Sequence, residues 1–288
     1  MTDKAKVKKN VRVSLIYVLL VVLAVFFLFP VVFMLFKSVM SPQESIGTPY
    51  VRFIPTEWHF ENFAKVFDAE ILRMFGNTII LIVFNVIGTI LSACCCAYGF
   101  ARGKFKSKGF WFAVMLSTIM LPAMVTQVPL YVLFSQMKMT GTLLPLIVPS
   151  FFGGGALNIF LTYQFVRGIS KELDEAAVID GASRFYIFTR IILPLLKPII
   201  IYMLINVIIN CWREFDSALI YIGNTEKSKK WQPLALGIYF KFLISGSEDS
   251  YPCYQMATGV LMTAPMAVLF LIFQGQLIDG IQMGAVKG

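Results

Sequence analysis

The fold class is decided first by the stretch from Val13 to Phe36, which reads VSLIYVLLVVLAVFFLFPVVFMLF. This unbroken apolar run exceeds the roughly 20 residues with which an α-helix crosses the hydrocarbon core of a bilayer. It follows a basic segment that contains Lys8, Lys9 and Arg12. The run is too long for the apolar region of a signal peptide, and no small-residue cleavage site follows it. We therefore interpret it as an uncleaved first transmembrane helix.

The same signal recurs along the chain. Further apolar runs predict spans at about 78–100, 110–133, 143–165, 198–222 and 256–277. Composition agrees, because 58% of the 288 residues are hydrophobic and only 14% are charged, whereas about a quarter of the residues in soluble domains are charged. We predict an all-α integral membrane protein, in which residues 1–288 form a single transmembrane domain with about six transmembrane helices.

The distribution of cations predicts the orientation. With the N-terminus inside, the short inner segments hold fifteen of the 25 Lys and Arg residues, the outer segments hold nine, and Arg213 lies within a span. Because short cytoplasmic segments are enriched in Lys and Arg, both termini are expected in the cytoplasm. The outer segments then cover about 37–77 and 223–255, and the net charge of +9 requires no nucleic-acid partner.

Residues for catalysis or metal binding are sparse. Cys94, Cys95 and Cys96 are consecutive, and neighbours on a helix point about 100° apart, so they cannot converge on one metal ion. The single histidine, His59, lies in an outer segment, which argues against a Ser-His-Asp triad or a Cys-His pair. No Gly-x-x-x-x-Gly-Lys-Ser/Thr phosphate loop is present. We predict no enzymatic activity, no catalytic or metal site and no cofactor on this chain.

The inner loop 166–197 carries the most informative motif. It contains Glu175-Ala176-Ala177 and, after three intervening residues, Gly181. Asp180-Gly181 is a strong turn signal because glycine adopts positive φ at no steric cost. The pattern predicts a short helix, a turn and a second helix that ends near Pro194. Composition alone also allows an amphipathic linker that lies on the membrane surface.

The full pattern of the loop resembles the EAA loop of ABC importer permeases, because Leu193-Pro194 and Lys197-Pro198 follow the glycine at the family's spacing. The segments 61–63, 77–78, 97–105 and 121–131 also resemble this family. The tail Gly280–Gly288 resembles the C-terminus of the second permease in the maltose-type, carbohydrate-uptake branch.

The resemblance implies a type I ABC importer permease fold in the bacterial cytoplasmic (inner) membrane, and a carbohydrate substrate, specifically an oligosaccharide. It implies a second homologous permease, a dimeric cytoplasmic ABC ATPase that holds ATP and magnesium, and an extracellular or periplasmic solute-binding protein. The loop would be a coupling helix that contacts the ATPase through Glu175, Ala176, Ala177, Asp180 and Gly181. The alternatives are a permease for an anionic solute, such as a glycerol phosphate or an acidic polysaccharide, and an ion-coupled transporter or channel.

The fifth predicted span departs from the family, since Trp212-Arg213-Glu214-Phe215-Asp216 replaces a less charged stretch. On a continuous helix, one stripe would hold Tyr202, Asn206, Asn210, Arg213, Ser217 and Tyr221, with Glu214 and Asp216 at its edges. Arg213 and Asp216 could pair across one turn. Because charges are costly in lipid, the stripe is expected to line the translocation path. The alternative is that it binds the second permease as interhelical contact.

Overall fold

Every regular element in the described part of the chain is a helix. The computed structural model describes residues 3–47, 52–244 and 250–285, with side chains throughout these ranges except at 3–9, 123 and 276–285. Lys287 and the end of the tail therefore lie outside the described residues. The absence of strands in these ranges confirms the predicted all-α class.

Fifteen α-helices occur in the described ranges. They are α1 (Asp3–Ser38), α2 (Pro42–Ile46), α3 (Glu61–Val66), α4 (Ala69–Arg102), α5 (Lys108–Ile119), α6 (Ala123–Gln136), α7 (Leu144–Ile147), α8 (Ala156–Gly168), α9 (Lys171–Ile179), α10 (Arg184–Tyr186), α11 (Leu193–Leu195), α12 (Lys197–Trp212), α13 (Asp216–Tyr221), α14 (Leu234–Ile238) and α15 (Pro252–Ala285). Short 3₁₀ turns cover Val148–Phe151 and Lys229–Trp231, and π-helical turns cover Ile187–Ile192 and Tyr239–Leu243.

Several of these helices are long and apolar enough to cross a bilayer. Among the described residues, four segments meet this criterion alone: Asn10–Ser38, Ala69–Arg102, Leu144–Gly168 and Pro252–Gly275. Two bent helix pairs bring the number to six if each pair counts as one span. The result agrees with the predicted number of about six, and which residues cross the membrane remains a prediction.

The predicted span 110–133 is not one straight helix. Helix α5 ends at Ile119, and α6 begins at Ala123. Pro122 explains the break, because it lacks an N–H to continue the hydrogen-bond ladder and disfavours helical backbone at the preceding residue. Pro129 lies inside α6 without ending it.

One compact unit comprises residues 1–68 and 241–265. Its connection after α1 is held by the buried side chain of Asn62, whose Nδ2 donates to the carbonyls of Ser38 (2.9 Å) and Met40 (2.8 Å). The Asp68 carboxylate pairs with the Lys241 ammonium. His59 Nδ1 lies 2.6 Å from Glu61 Oε1, and this contact gives the single histidine a local partner within its own loop.

The other unit comprises residues 69–240 and 266–288, and α4 lies at its centre. Helices α8 and α12 pack on α4. Their shared core includes Ala93, Ala97 and Met203. The same cluster includes Ala177 and Ile187, so the loop 166–197 is packed against the ends of the long helices.

Helix α4 also carries amides and a hydroxyl that satisfy the backbone of irregular neighbours. Asn77 Nδ2 donates to the carbonyls of Lys230 and Gln232, each at 2.9 Å. Asn85 Nδ2 donates to the Leu146 carbonyl (3.1 Å), and Ser92 Oγ donates to the Ser150 carbonyl (2.9 Å). Backbone that leaves a helix at membrane depth needs such partners, because lipid offers no hydrogen bonds.

The segment between α7 and α8 passes close to α4 through three consecutive glycines. Gly153, Gly154 and Gly155 all have positive φ. A Cβ atom at Gly154 would lie 2.7 Å from Thr89 Cα, so only glycine allows this close approach of the chain to α4. Leu144–Gly168 is thus long enough to cross a bilayer but is not one regular helix, because a tight glycine turn precedes α8.

Candidate functional site

The motif loop folds as the sequence predicts, into a helix, a turn and a second helix. Ser170 begins α9, and its Oγ accepts a hydrogen bond from the Glu172 N–H (3.2 Å). Two acidic residues follow in the first turn, where their negative charges interact favourably with the positive end of the helix dipole. Ser183 begins the second helix in the same way, since its Oγ accepts from the Tyr186 N–H (3.2 Å).

Gly181 forms the turn between the two helices. Its φ is +80°, the left-handed conformation that terminates helices and that favours glycine. Its N–H donates to the Val178 carbonyl (3.0 Å), and the Ala182 N–H donates to the Ala177 carbonyl (2.9 Å). These two bonds satisfy carbonyls at the end of α9. Asp180 immediately precedes the turn and is exposed.

Helix α9 has two different faces. Ala177 is buried and Asp174 is nearly so, and at 100° per residue they lie on the same side of the helix. The opposite side, which we call the exposed face, is solvent-accessible and consists of Glu172, Glu175, Ala176 and Ile179. Ile179 is 85% exposed. Ala176 and Ala177, both of which the resemblance assigns to the contact with the ATPase, therefore belong to different surfaces.

Exposed apolar residues extend beyond α9. Phe185 on α10 is 77% exposed, and Tyr186 beside it is also exposed. Large apolar side chains with this degree of exposure at the ends of a membrane protein's helices mark contact with a protein or with lipid. Exposed apolar side chains thus occur on both helices of the loop, and on α9 they are accompanied by the exposed carboxylates Glu172 and Glu175.

Three contacts hold the loop on the end of α4. Arg102, the last residue of α4, forms an ion pair with Asp174 of α9. Arg102 Nη2 also donates to the Ile169 carbonyl (2.8 Å), which follows α8. The Tyr98 and Phe188 rings lie 5.0 Å apart. Sequence reasoning did not identify Asp174, because nothing near it in the chain indicates which cation is its partner.

The residues predicted to line a path do not form one continuous stripe. Helix α12 ends at Trp212, and α13 begins at Asp216. Tyr202 and Asn206 lie on α12 and are partly buried, and the Asn206 amide donates to the Tyr202 carbonyl (3.0 Å). Asn210 is exposed near the end of this helix. The premise of a single helix over 198–222 is therefore wrong.

Local hydrogen bonds explain the break. Arg213 Nη2 donates to Asn210 Oδ1 (3.0 Å), and the predicted pair between Arg213 and Asp216 does not occur among the ion pairs of the described residues. Glu214 Oε1 accepts from the Ser217 N–H (3.0 Å) at the start of α13. The Glu214 bond engages the backbone, and a side-chain bond of this kind competes with a continuous helix and favours a new helix start.

Tyr221, the last member of the predicted stripe, is buried at the end of α13. Its ring packs against Phe134 (5.4 Å between centroids) and lies parallel to the Tyr131 ring (6.4 Å). Its carbonyl accepts from the Gly141 N–H (2.7 Å). These contacts give Tyr221 a role in packing within this structure.

The outer segment after α13 is well anchored. Besides the Asn77 bonds, the Leu234 N–H donates to Thr78 Oγ1 (2.9 Å), and Gln232 Nε2 donates to the Gly223 carbonyl (2.8 Å). Lys229 Nζ donates to Glu226 Oε1 (2.8 Å). This hydrogen bond lowers the pKa of Glu226 and raises the pKa of Lys229. Both side chains of this pair are exposed.

Comparison with known proteins gives consistent relatives. The chain is 32% identical over 237 residues to the melibiose/raffinose/stachyose import permease protein MelC of Bacillus subtilis, covering 81% of this chain and 83% of that protein. It is 28% identical over 284 residues to the galactooligosaccharides transport system permease protein GanQ of the same species, covering 98% of both.

A solved structure has the same fold. The chain superimposes with a TM-score of 0.78 on a chain from the crystal structure of a bacterial ABC transporter involved in the import of the acidic polysaccharide alginate, covering 96% of this chain and 98% of that one at 19% identity. The family described as binding-protein-dependent transport system inner membrane component matches residues 90–282. That range includes the motif loop, and the chain belongs to this family of ABC transporter permeases.

Proposed function

We propose that this chain is one of two permease subunits of an ATP-driven importer for an oligosaccharide. The observation that carries the proposal is that MelC and GanQ, which align with 81% and 98% of this chain, are both named for sugar transport. A second homologous permease, a dimeric ABC ATPase and a solute-binding protein complete the importer. The chain spans the cytoplasmic membrane with both termini in the cytoplasm.

The exposed face of α9 is the docking surface for the ATPase. It presents Ile179 and Ala176 between two carboxylates, and Phe185 extends the apolar area. An apolar centre with a charged rim is the composition of a specific protein interface. Gly181 and Asp180 shape the turn that holds this face, so all five residues of the motif contribute to the site, and Ala177 contributes from the inner side.

The first prediction concerns the substrate. The four-part importer, reconstituted in liposomes, should take up neutral oligosaccharides only when the binding protein and ATP are both present. Uptake is measured with radiolabelled raffinose-type and galactose-type oligosaccharides against glycerol phosphate and an acidic oligosaccharide. Uptake restricted to the anionic solutes would contradict the carbohydrate proposal, and uptake without ATP would contradict the transporter class.

The same preparation tests whether ATP hydrolysis belongs to the partner ATPase and not to this chain. The purified chain alone should hydrolyse no ATP, because its 288 residues contain no phosphate-binding loop. Hydrolysis should appear on addition of the ATPase subunit and increase with the loaded binding protein. ATP turnover by the isolated chain, free of contaminants, would contradict the assignment of catalysis to a partner.

The polar residues at the end of α12 are proposed to line the translocation path. Asn210 and Arg213 are exposed there, and charged groups in a membrane subunit face a cavity or a protein partner and avoid lipid. Asn206 lies one turn earlier on the helix. Ser217 belongs to the separate helix α13, so the turn at 213–215 determines whether its side chain faces the same path.

A cysteine-accessibility measurement tests this assignment. Single cysteines at Asn206, Asn210 and Ser217, in a variant without the five native cysteines, should react with a water-soluble thiol reagent, and the rate should change when ATP is trapped on the complex. Met203→Cys is the matched control, because Met203 lies on α12 and is fully buried. If the three positions stay as unreactive as Met203 in a complex that transports, the residues bind the second permease.

A further inference from the structure

The ion pair between Arg102 and Asp174 is unusual in its burial. The side chains are only 10% and 17% exposed, respectively, although both belong to a region of charged surface residues. Arg102 reaches two segments at once, because its guanidinium also donates to the Ile169 carbonyl at the end of α8 (2.8 Å). One side chain at the end of α4 thus joins α8 and α9.

Apolar packing alone does not require this pair. Ala177 and Ile187 already attach the loop to the core cluster of α4 and α8, and apolar contacts allow a short helix to slide or rotate at little cost. Arg102 Nε and both carboxylate oxygens of Asp174 make no hydrogen bond in this structure, so the two side chains interact through their charges, and removal of one partner leaves the other charge buried without compensation. The pair therefore adds an electrostatic attachment of α9 to the end of α4.

Arg102 is the last residue of α4, so this helix connects the pair to the contacts at its other end. Helix α4 has 34 residues, which corresponds to a length of about 50 Å. Near its other end, Asn77 binds the carbonyls of Lys230 and Gln232 in the outer segment. A single continuous helix thus connects the segment that contains 230–234 to the helix that carries the motif.

We infer that Arg102 and Asp174 are positioning residues that lock α9 to the end of α4, so that a displacement of α9 by the ATPase moves α4 with it. The inference rests on the proposed function, in which the exposed face of α9 contacts the ATPase. The pair contacts neither substrate nor nucleotide. Its role is to transmit motion between the docking surface and the helix that reaches the outer segment.

The test uses the reconstituted importer and a charge exchange. Arg102→Asp and Asp174→Arg should each lower binding-protein-dependent uptake by at least about tenfold, within the range that coupling between sites usually spans. The assembled complexes should keep their basal ATP hydrolysis, and the double variant should regain most of the uptake. Lys104→Asp, which reverses an exposed cation near the end of α4, should transport as the wild type does.

Three results would overturn the inference: wild-type uptake in both single variants, a double variant no better than the singles, or loss of assembly in all three. A second measurement does not depend on transport. In membranes that contain the permease pair, trypsin should cleave after Lys171 or Arg184, which bracket α9, several times faster in Asp174→Asn than in the wild type. Equal cleavage rates would also contradict the lock. Faster cleavage in Asp174→Asn, found together with a wild-type importer that transports no sugar, would support the lock and contradict the proposed function.

Discussion

Replacing Gly181 with proline is expected to abolish uptake while the chain remains in the membrane at normal abundance. Proline cannot adopt the φ of +80° found at this position. It also lacks the N–H that donates to the Val178 carbonyl (3.0 Å). The turn would open, and the direction of α9 relative to the second helix would change. The measurement is uptake per assembled complex, with abundance determined by immunoblotting of membranes.

Gly181→Asn is the matched control, because asparagine tolerates the left-handed conformation and keeps the N–H. No neighbouring atom lies within 4 Å of a Cβ built at Gly181, so the added side chain meets no obstacle. This variant should retain most of its uptake. If the proline variant transported as well as the asparagine variant, the geometry of the turn would have no part in coupling.

Glu175→Lys is expected to have a comparable effect for a different reason. Glu175 is exposed on the acidic rim of the exposed face of α9, so the substitution leaves the core unchanged. A reversed charge in a desolvated protein contact costs about 2–5 kcal/mol, which corresponds to a loss of roughly 30-fold or more in affinity. The ATPase should therefore dissociate from the membrane complex, and uptake should stop.

Copurification of the ATPase with the tagged chain measures this directly. Glu175→Gln serves as the control, because it removes the charge without reversing it, and it should keep a measurable part of both binding and uptake. A lysine variant that still binds the ATPase with wild-type affinity would show that the exposed face of α9 is not the docking surface.

The loop shows how far the sequence can be interpreted residue by residue. Glu-Ala-Ala and the Asp-Gly turn are local signals, and the structure confirms the helix, turn and helix that they predict. The resemblance assigns both Ala176 and Ala177 to the contact with the ATPase. Their separation onto an exposed and a buried face depends on which side of α9 meets α4, and no local signal specifies that side.

The polar stripe fails for a related reason. A periodicity of 100° per residue assumes that the helix continues, whereas α12 ends at Trp212 and Glu214 Oε1 accepts from the Ser217 N–H at the start of α13. Three polar residues of α4, Asn77, Asn85 and Ser92, recur at helical spacing, and this spacing could have predicted a polar contact face on the helix. Their partners are carbonyls at Lys230, Gln232, Leu146 and Ser150.

The sequence by itself determined that this protein is a helical membrane protein of the ABC permease family, because apolar length, cation distribution and motif spacing are properties of the chain read in order. Only the tertiary structure decided that Arg102 pairs with Asp174 and that α4 supports the outer segment at one end and α9 at the other. Such contacts join residues far apart in the chain, and many carboxylates and cations are chemically equivalent as partners. The packing of α4, α8 and α9 around a common core selects one pair among them, because it brings only those two groups together away from water.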